Sequence, residues 1–528
     1  MKKLMYTGLC IAGCMILSSG YCKIRPYSHG LNVFSADASK RIVEMPANPN
    51  ATPEARALLA LIYSISGKYT LTGQHNFPAS GSRNSRFAAW YGGQTPVIWS
   101  TDMGFAREGD KDSYLSRPQI VKEAIRQHRM GSLVTICWHA VPPTADEPVT
   151  FQPAGPHHPD SLASVQGQLT DRQFQDLLTP GTSLYKKWAV QVDTIAFYLK
   201  QLQEAHVPVL WRPYHEMNGD WFWWGGRIGE FSTARLYRQL FDRMVHYHKL
   251  NNLIWVWNVD RPTTPVRKFS NFYPGNQYLD ILSLDVYGSD FRQAYYDSLL
   301  ALSKGKPVAL GEVGNPPSPE VLRNQPRWAY WVIWAGMAQN LSRSQYRKLI
   351  SVPEILSRED QTWLEISAPF RKACNLPPLP VEELYRPDFT GHWKLNEEES
   401  SFADAGAANV PYMLFIDHDE EVLRVQKLVL SEFEPHQLIS EEYILDGTEQ
   451  QTVFQNVPRI TKAIWDKDSH GPVITSEVTF TMGEKKFTSQ TNEMWNLSND
   501  GNILTIRLTS TGFNGQKSHF VLIYSRID

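Results

Sequence analysis

The sequence predicts an α/β fold: a closed (β/α)₈ barrel, followed by a smaller antiparallel all-β domain. Three observations predict it. Residues from about 50 to 370 alternate short apolar runs with helical patterns, and eight β-then-α units are the number that closes a parallel barrel. The runs are apolar on both faces, as strands sheltered by helices must be. Beyond a Pro-rich stretch the pattern changes to strict alternation, with Leu504, Ile506 and Leu508 set against Thr505, Arg507 and Thr509, the period of a sheet with one covered face.

Taken in order, the expected barrel strands are 69–75, 97–102, 133–139, 207–216, 253–258, 281–287, 307–312 and 331–334, with amphipathic helices such as 184–204 and 231–250 between them. Most runs end in a polar or ionisable residue: His75, Asp102, His139, Glu216, Asn258, Tyr287, Glu312. In a barrel of this kind the C-terminal strand ends form the active site. The stretch 142–180 is rich in Pro, His and Gly and follows the strand ending at His139, so it is expected to be a long loop that walls the cleft. Its His157 and His158 read as exposed.

The Leu-Pro-Pro-Leu-Pro run within 376–388 reads as a stiff linker. It divides a barrel at 45–375 from a β domain at 389–528, for which about eight short strands are expected. Turn signals recur there at Asp446-Gly447 and Asn499-Asp500-Gly501. The opening Gly391-His-Trp-Lys-Leu-Asn396 resembles the first strand of lipocalin-like domains. Trp393, Trp465 and Trp495 are read as core residues, with a sugar-binding platform as the alternative.

Residues 1–22 read as a signal segment for export. Lys2 and Lys3 precede an apolar stretch, Leu4 to Leu17, that is too short to span a bilayer. Two processing readings stay open: cleavage at Ser18-Ser19-Gly20, or a lipoprotein box at Ile11-Ala12-Gly13-Cys14 with a lipid anchor on Cys14. The destination is the periplasm, the cell surface or the medium. Of the 5 cysteines, Cys10 and Cys14 lie in or beside this segment; Cys22, Cys137 and Cys374 make neither a disulfide framework nor a metal-binding pair.

With 52 basic and 54 acidic residues the net charge is −2, which supplies no electrostatic drive toward nucleic acid or an anionic membrane. The hydrophobic fraction of 42% suffices for a large core, and the 17 Trp and 23 Tyr are residues whose faces bind the C–H face of sugars as well as filling cores. A monomer is expected.

Two motifs carry chemistry. The run Trp211-Arg-Pro-Tyr-His-Glu-Met-Asn-Gly-Asp-Trp-Phe-Trp-Trp-Gly225 delivers Glu216 at the end of the fourth strand; Val308-Ala-Leu-Gly-Glu-Val-Gly314 delivers Glu312 at the end of the seventh. A metalloprotease reading of the first fails, because Gly219 stands where the second histidine would be needed. Cleavage of a glycosidic bond needs one carboxylic acid to protonate the leaving oxygen and a second carboxylate to attack the anomeric carbon. Strands four and seven face each other across a barrel mouth, so the two groups can meet there. The aromatic run after Glu216 would keep it protonated by desolvation, and Arg212 or His215 would stabilise negative charge nearby. Asp102 and Asp285 are expected to hold loops. Trp223 and Trp224 are either rim packing or sugar contacts.

The segment 212–225 together with Gly311-Glu312 resembles glycoside hydrolase family 26, over about residues 45 to 370. The resemblance implies a retaining endo-acting glycosidase with no cofactor and no metal, cleaving β-1,4-mannosidic bonds in mannan, glucomannan or galactomannan. It implies that Glu216 is the acid/base and Glu312 the nucleophile. His139, His215, Trp221, Tyr287 and Arg212 are implied as substrate-binding or site residues, with Trp334 as the stacking platform on the last strand and Trp331 as its rival. β-1,3-Xylan and mixed-linkage β-glucan remain alternative substrates, and a non-catalytic glycan-binding protein the alternative from another class.

Overall fold

A computed structural model describes residues 45–528 except 79–80, 105–112, 148, 151–162, 381–386, eight short β-domain segments (403–409, 419–421, 432–434, 455–456, 467–470, 483–484, 499–500, 513–514) and residue 528. The signal segment with Cys10, Cys14 and Cys22, the histidines His157 and His158, and much of the linker lie outside the described residues.

Eight parallel strands close on themselves: β1 (Gly73–His75), β2 (Ile98–Asp102), β3 (Leu133–Trp138), β4 (Val209–Pro213), β5 (Leu253–Asp260), β6 (Ile281–Val286), β7 (Val308–Val313) and β8 (Trp328–Ile333), with β8 returning to pair with β1 through Ile333 and Gln74. The expected run 69–75 is split. Thr70–Leu71 forms a separate short strand that pairs with Ile355–Leu356, and Thr72 breaks the run by giving its hydroxyl to the Leu356 carbonyl. The last strand also begins earlier than expected, so Trp334 falls just past its end.

Strand alternation sorts side chains into two layers. Leu210, Ile254, Val256, Ile281 and Ala309 share one apolar cluster with Leu58 and Ile62 of the first helix, α1 (Pro53–Ile65). Their strand neighbours Trp211, Trp255, Trp257, Leu282 and Leu310 belong to the other cluster, shared with the surrounding helices, including Val192 and Leu199 of Ser183–Glu204. α1 starts where the sequence marks it, with Thr52 accepting the Ala55 amide and Pro53 at the first helical position. The expected helix 231–250 is an α-helix only over Thr233–Phe241 and continues as a wider π-helical turn, Asp242–Tyr247. The stretch 142–180 is not wholly loop. It holds a short parallel ladder, Val149–Thr150 with Ala163–Ser164, and a seven-residue helix, Asp171–Leu177, started by the capping box of Thr170 and Gln173.

Among the described residues the second sheet has ten antiparallel strands rather than about eight, from Gly391–Leu395 to Lys517–Arg526. These first and last strands pair in the middle of the sheet, whose edges are Gln437–Ile444 and Asp446–Phe454. The edges approach each other, Arg459 reaching Glu441 and the Ile444 amide reaching Gln450, so the described strands form a nearly closed barrel. Trp393, Trp465 and Trp495 are buried in its interior beside Leu414, Leu423 and Tyr524. They are core, and a sugar platform on these three is excluded by their burial.

Candidate active site

The site is built from the C-terminal ends of the barrel strands. Inward-facing positions continue each strand's apolar layer upward: Leu210 leads to Arg212, Val256 to Asn258, Ser283 to Asp285. On β7 the same rule would send Glu312 outward with Val308 and Leu310. A bulge at Gly311 resets the register, so that Leu310 pairs with Leu284 but Glu312 pairs with Asp285, and the carboxylate turns into the mouth. Only glycine fits at the bulge: a Cβ there would lie 2.7 Å from both Asn258 Nδ2 and Asp285 Oδ1.

Glu216 is positioned differently. Its strand stops at Pro213, short of the expected end, and the chain then places Tyr214 (φ 47) and Glu216 (φ 51) in the left-handed region. Non-glycine residues held there cost energy and are retained where surroundings enforce them. Here the Glu216 amide donates to Asn258 Oδ1 at 2.7 Å, and the Tyr214 hydroxyl accepts from Trp188 Nε1 at 2.9 Å. Asn258 in turn donates to Ser283 Oγ and to Asp285 Oδ1, at 2.8 and 2.7 Å, so one side chain ties β5 to β6 and to the turn bearing Glu216.

One carboxylate oxygen from each of Glu216, Asp285 and Glu312 lies within 4.8 Å of the other two. Their environments differ. Glu312 accepts from Arg212 Nη2 at 2.5 Å on one oxygen and from the Tyr287 hydroxyl at 2.7 Å on the other, with His215 Nε2 3.8 Å away. Arg212 also donates to Asp285 at 2.9 Å. Burial disfavours its charge, but Asp285 and Glu312 outweigh this and hold the guanidinium's pKa well above its ordinary value. Arg212 therefore serves Glu312 and Asp285, and it supplies the positive charge among the three carboxylates that a metal ion would otherwise bring.

The Glu216 carboxyl accepts from the Trp221 indole at 2.5 Å. Burial pushes its pKa well above the usual carboxylate range, and the charges of Asp285, Glu312 and Asp260 push the same way, against the Trp221 hydrogen bond. Tyr287 is likewise raised, by burial and then by Glu312, so its hydroxyl stays a donor. The two carboxyls are thus split, one desolvated beside like charges and one held by a cation and a phenol.

Around this pair stand three buried histidines. His139 and His215 meet edge to face at 4.3 Å, and His75 stacks on Trp334 at 3.9 Å. Burial holds His215 well below the ordinary imidazole value, helped by His139 and Arg212; it brings His75 down to about 3. Both rings are neutral. Trp334 is half-buried, whereas Trp331 is fully buried in the core, so of the two expected platforms only Trp334 reaches the cleft. Trp223 and Trp224 are also core, their indoles donating to the Ala140 and His215 carbonyls.

The structure brings together Glu216, Glu312, Arg212, His139, His215, Trp221, Tyr287 and Trp334, leaves Trp331, Trp223 and Trp224 in the core, and draws in Asp285, Asn258, Asp102 and His75. The signal for the last three was their place at strand ends. Asp285 was expected to hold a loop and instead pairs with Arg212; its period-two spacing from Ser283 and Ile281 was the clue to its inward face.

A mannan endo-1,4-beta-mannosidase of Thermothelomyces thermophilus is 34% identical over 295 residues, 54% of this chain and 56% of that protein. The chain spans about half the length of the curated relatives it matches. Among solved structures, GH26A from Muricauda sp. MAR_2010_75 aligns with a TM-score of 0.54 and 41% identity over 59% of this chain and 98% of that one. A beta-mannanase from a symbiotic protist of the termite Reticulitermes speratus, complexed with gluco-manno-oligosaccharide, aligns with a TM-score of 0.50 and 25% identity over 60% and 96%. Residues 47–356, more than half of the chain and the span that contains every residue of this site, match glycosyl hydrolase family 26, and the chain belongs to that family.

Proposed function

We propose that the protein hydrolyses β-1,4-mannosidic bonds within mannan, glucomannan or galactomannan, with retention of configuration. Glu312 attacks the anomeric carbon and forms a glycosyl-enzyme while Glu216 protonates the departing oxygen. Glu216 then takes a proton from water, which attacks the same carbon and frees Glu312. The observation that carries the reading is that one oxygen of each carboxylate lies within 4.8 Å of the other, a close approach that favours the ~5–5.5 Å carboxyl spacing of retaining enzymes over the ~6.5–9.5 Å that leaves room for an inverting water. The split between a desolvated Glu216 and an ion-paired Glu312 supports the division of roles. Trp334 and His215 both lie against His139, with ring centres 6.0 and 4.3 Å away, and would form the surface for a mannosyl unit, with Trp221 beside the acid Glu216. The substrate class is supported by the relatives' activity on mannan. Residues 45–375 are assigned to this activity, and 1–22 to export.

Proton NMR of the anomer first released from manno-oligosaccharides tests the mechanism. The β-anomer is expected, and the α-anomer would overturn it. Glu312→Gln should leave the fold intact and lower turnover by several orders of magnitude; near-normal turnover would remove the nucleophile. Digestion of a panel of purified polysaccharides tests the substrate, and faster cleavage of β-1,3-xylan or mixed-linkage β-glucan than of mannan would overturn that part.

A further inference from the structure

Of the aromatic run that follows Glu216, Phe222, Trp223 and Trp224 are buried in the core, whereas Trp221 is half-buried. Core packing fixes its neighbours and leaves the Trp221 ring to be held by other means. The backbone supplies one contact. The Gly219 amide closes a tight turn onto the Glu216 carbonyl at 2.9 Å, and the six-membered ring of Trp221 lies where a Gly219 Cβ would stand, 2.3 Å from Cζ2 and 2.4 Å from Cη2. Arg267, on the largely exposed segment after β5, supplies another: its guanidinium lies over the Trp221 ring, 5.2 Å from the centroid, within the range of a cation–π contact.

Arg267 is itself tied to the same turn. Both neighbours of Gly219 bind it: Asp220 accepts from its Nη2, and Asn218 Nδ2 donates to its carbonyl at 3.1 Å. Its Nη1 donates to Thr263 Oγ1 at 3.0 Å. Asn218 also exchanges two hydrogen bonds with the backbone of Asp260 at the end of β5, at 2.6 and 2.7 Å. A planar guanidinium can stack on a ring and hold a carboxylate at the same time.

We propose that Arg267 is a positioning residue: it clamps Trp221 against the Gly219 turn, so that the indole N–H stays on Glu216 Oε2. The clamp rests on geometry alone; its bearing on catalysis rests on the reading of Glu216 as the acid. An indole nitrogen only donates, so while it occupies Oε2 the hydrogen passed to the leaving oxygen is carried by Oε1. When Glu216 is ionised between the two steps, the same donor stabilises the carboxylate.

The charged and titratable groups facing Glu216 are Asp260 on β5, Asp285 on β6, Glu312 on β7 and Tyr287 just past β6. Burial raises the pKa of Asp260, against the charges of Arg261 and Arg267. Arg267 therefore has two routes to Glu216, by charge and by contact through Trp221. A double variant separates them. Charge acts whatever side chain stands at 221, and contact with an indole donor does not.

NMR of full-length protein labelled with ¹⁵N-tryptophan gives the direct readout, with Trp221→Phe assigning the indole signal. The Trp221 N–H proton should lie downfield in the wild type, as a hydrogen bond to a carboxyl requires, and move upfield in Arg267→Leu. The alkaline limb of the kcat/KM profile on manno-oligosaccharides should rise in Arg267→Leu by up to about one pH unit, the size of one charge-assisted hydrogen bond, with circular dichroism unchanged. It should rise in Trp221→Phe as well, and adding Arg267→Leu should move it no further. An indole signal unmoved in Arg267→Leu, or a limb that moves as far in the Trp221→Phe background as in the wild type, would overturn the proposal. A limb indifferent to both substitutions, with the indole signal displaced, would instead overturn Glu216 as the acid and leave the clamp standing.

Discussion

Trp221 points its indole N–H at the carboxyl group of Glu216, with Nε1 2.5 Å from Oε2. This hydrogen bond favours the ionised form of a group that burial and three neighbouring carboxylates hold protonated. Trp221→Phe removes it, so the pKa of Glu216 should rise further. A general acid must be protonated to act. The alkaline limb of the kcat/KM profile should therefore move to higher pH, and a shift to lower pH would contradict the assignment of Glu216 as the acid.

Tyr287→Phe removes one of the two short donors to Glu312. Hydrogen bonds to charged groups contribute about 1.5–3 kcal/mol, so kcat/KM should fall roughly 10- to 100-fold. Circular dichroism should remain that of the wild type, because the ring can keep its packing. Wild-type kinetics would mean that the phenol does not hold the nucleophile.

Gly311→Ala tests the bulge. The added Cβ would lie 2.7 Å from Asn258 Nδ2 and Asp285 Oδ1 and 3.0 Å from Ser283 Oγ, all members of one buried network that cannot retreat independently. Overpacking of this kind costs about 1–3 kcal/mol. Urea unfolding should show that loss, together with reduced turnover from a displaced Glu312. A variant with wild-type stability and turnover would show that the network tolerates the extra methyl.

The β domain contains its own ionic cluster. Glu441 pairs with Lys427 and Arg459, each at 2.6 Å, and accepts from the Tyr443 hydroxyl. Burial raises the Glu441 carboxyl, but Lys427 outweighs it, with Tyr443 and Arg459, and the group is pushed down to about 2. A carboxyl whose pKa is lowered on folding stabilises the fold above its unfolded value, near ~4.3, and loses that contribution as pH falls toward about 2. Glu441→Gln removes the carboxylate that both cations approach most closely, leaving Lys427 with Glu493 at 4.0 Å and Arg459 with Thr452, and should destabilise this domain by about 3 kcal/mol at pH 7. Urea unfolding of the full chain, read at Val457–Asp466 by hydrogen exchange, should show the difference from the wild type closing between pH ~4.3 and pH 2. A difference independent of pH would point to lost packing instead.

The chain's linear order determined which chemistry is present. Apolar runs of strand length separated by amphipathic helices make a sheltered parallel sheet, and eight such units are the number that closes it as a barrel. Polar residues closing those runs, Glu216 and Glu312 foremost, then have to gather at one rim. Such features are local, written in periodicity and in the residues that interrupt it. The element edges were less legible: the strand before Glu216 ends at Pro213, because a hydrogen bond from the Glu216 amide to Asn258 and one from Trp188 to Tyr214 take over the next turn. What only the tertiary structure decided is where each side chain points. Glu312 would face the helices by simple alternation, and it faces the cleft because pairing with β6 slips by one residue at Gly311. Asp285 meets Arg212 across 73 positions of sequence, and His75 of the first strand meets Trp334, just past the last. Register and closure join segments hundreds of residues apart, and no short-range pattern records which partner each will find.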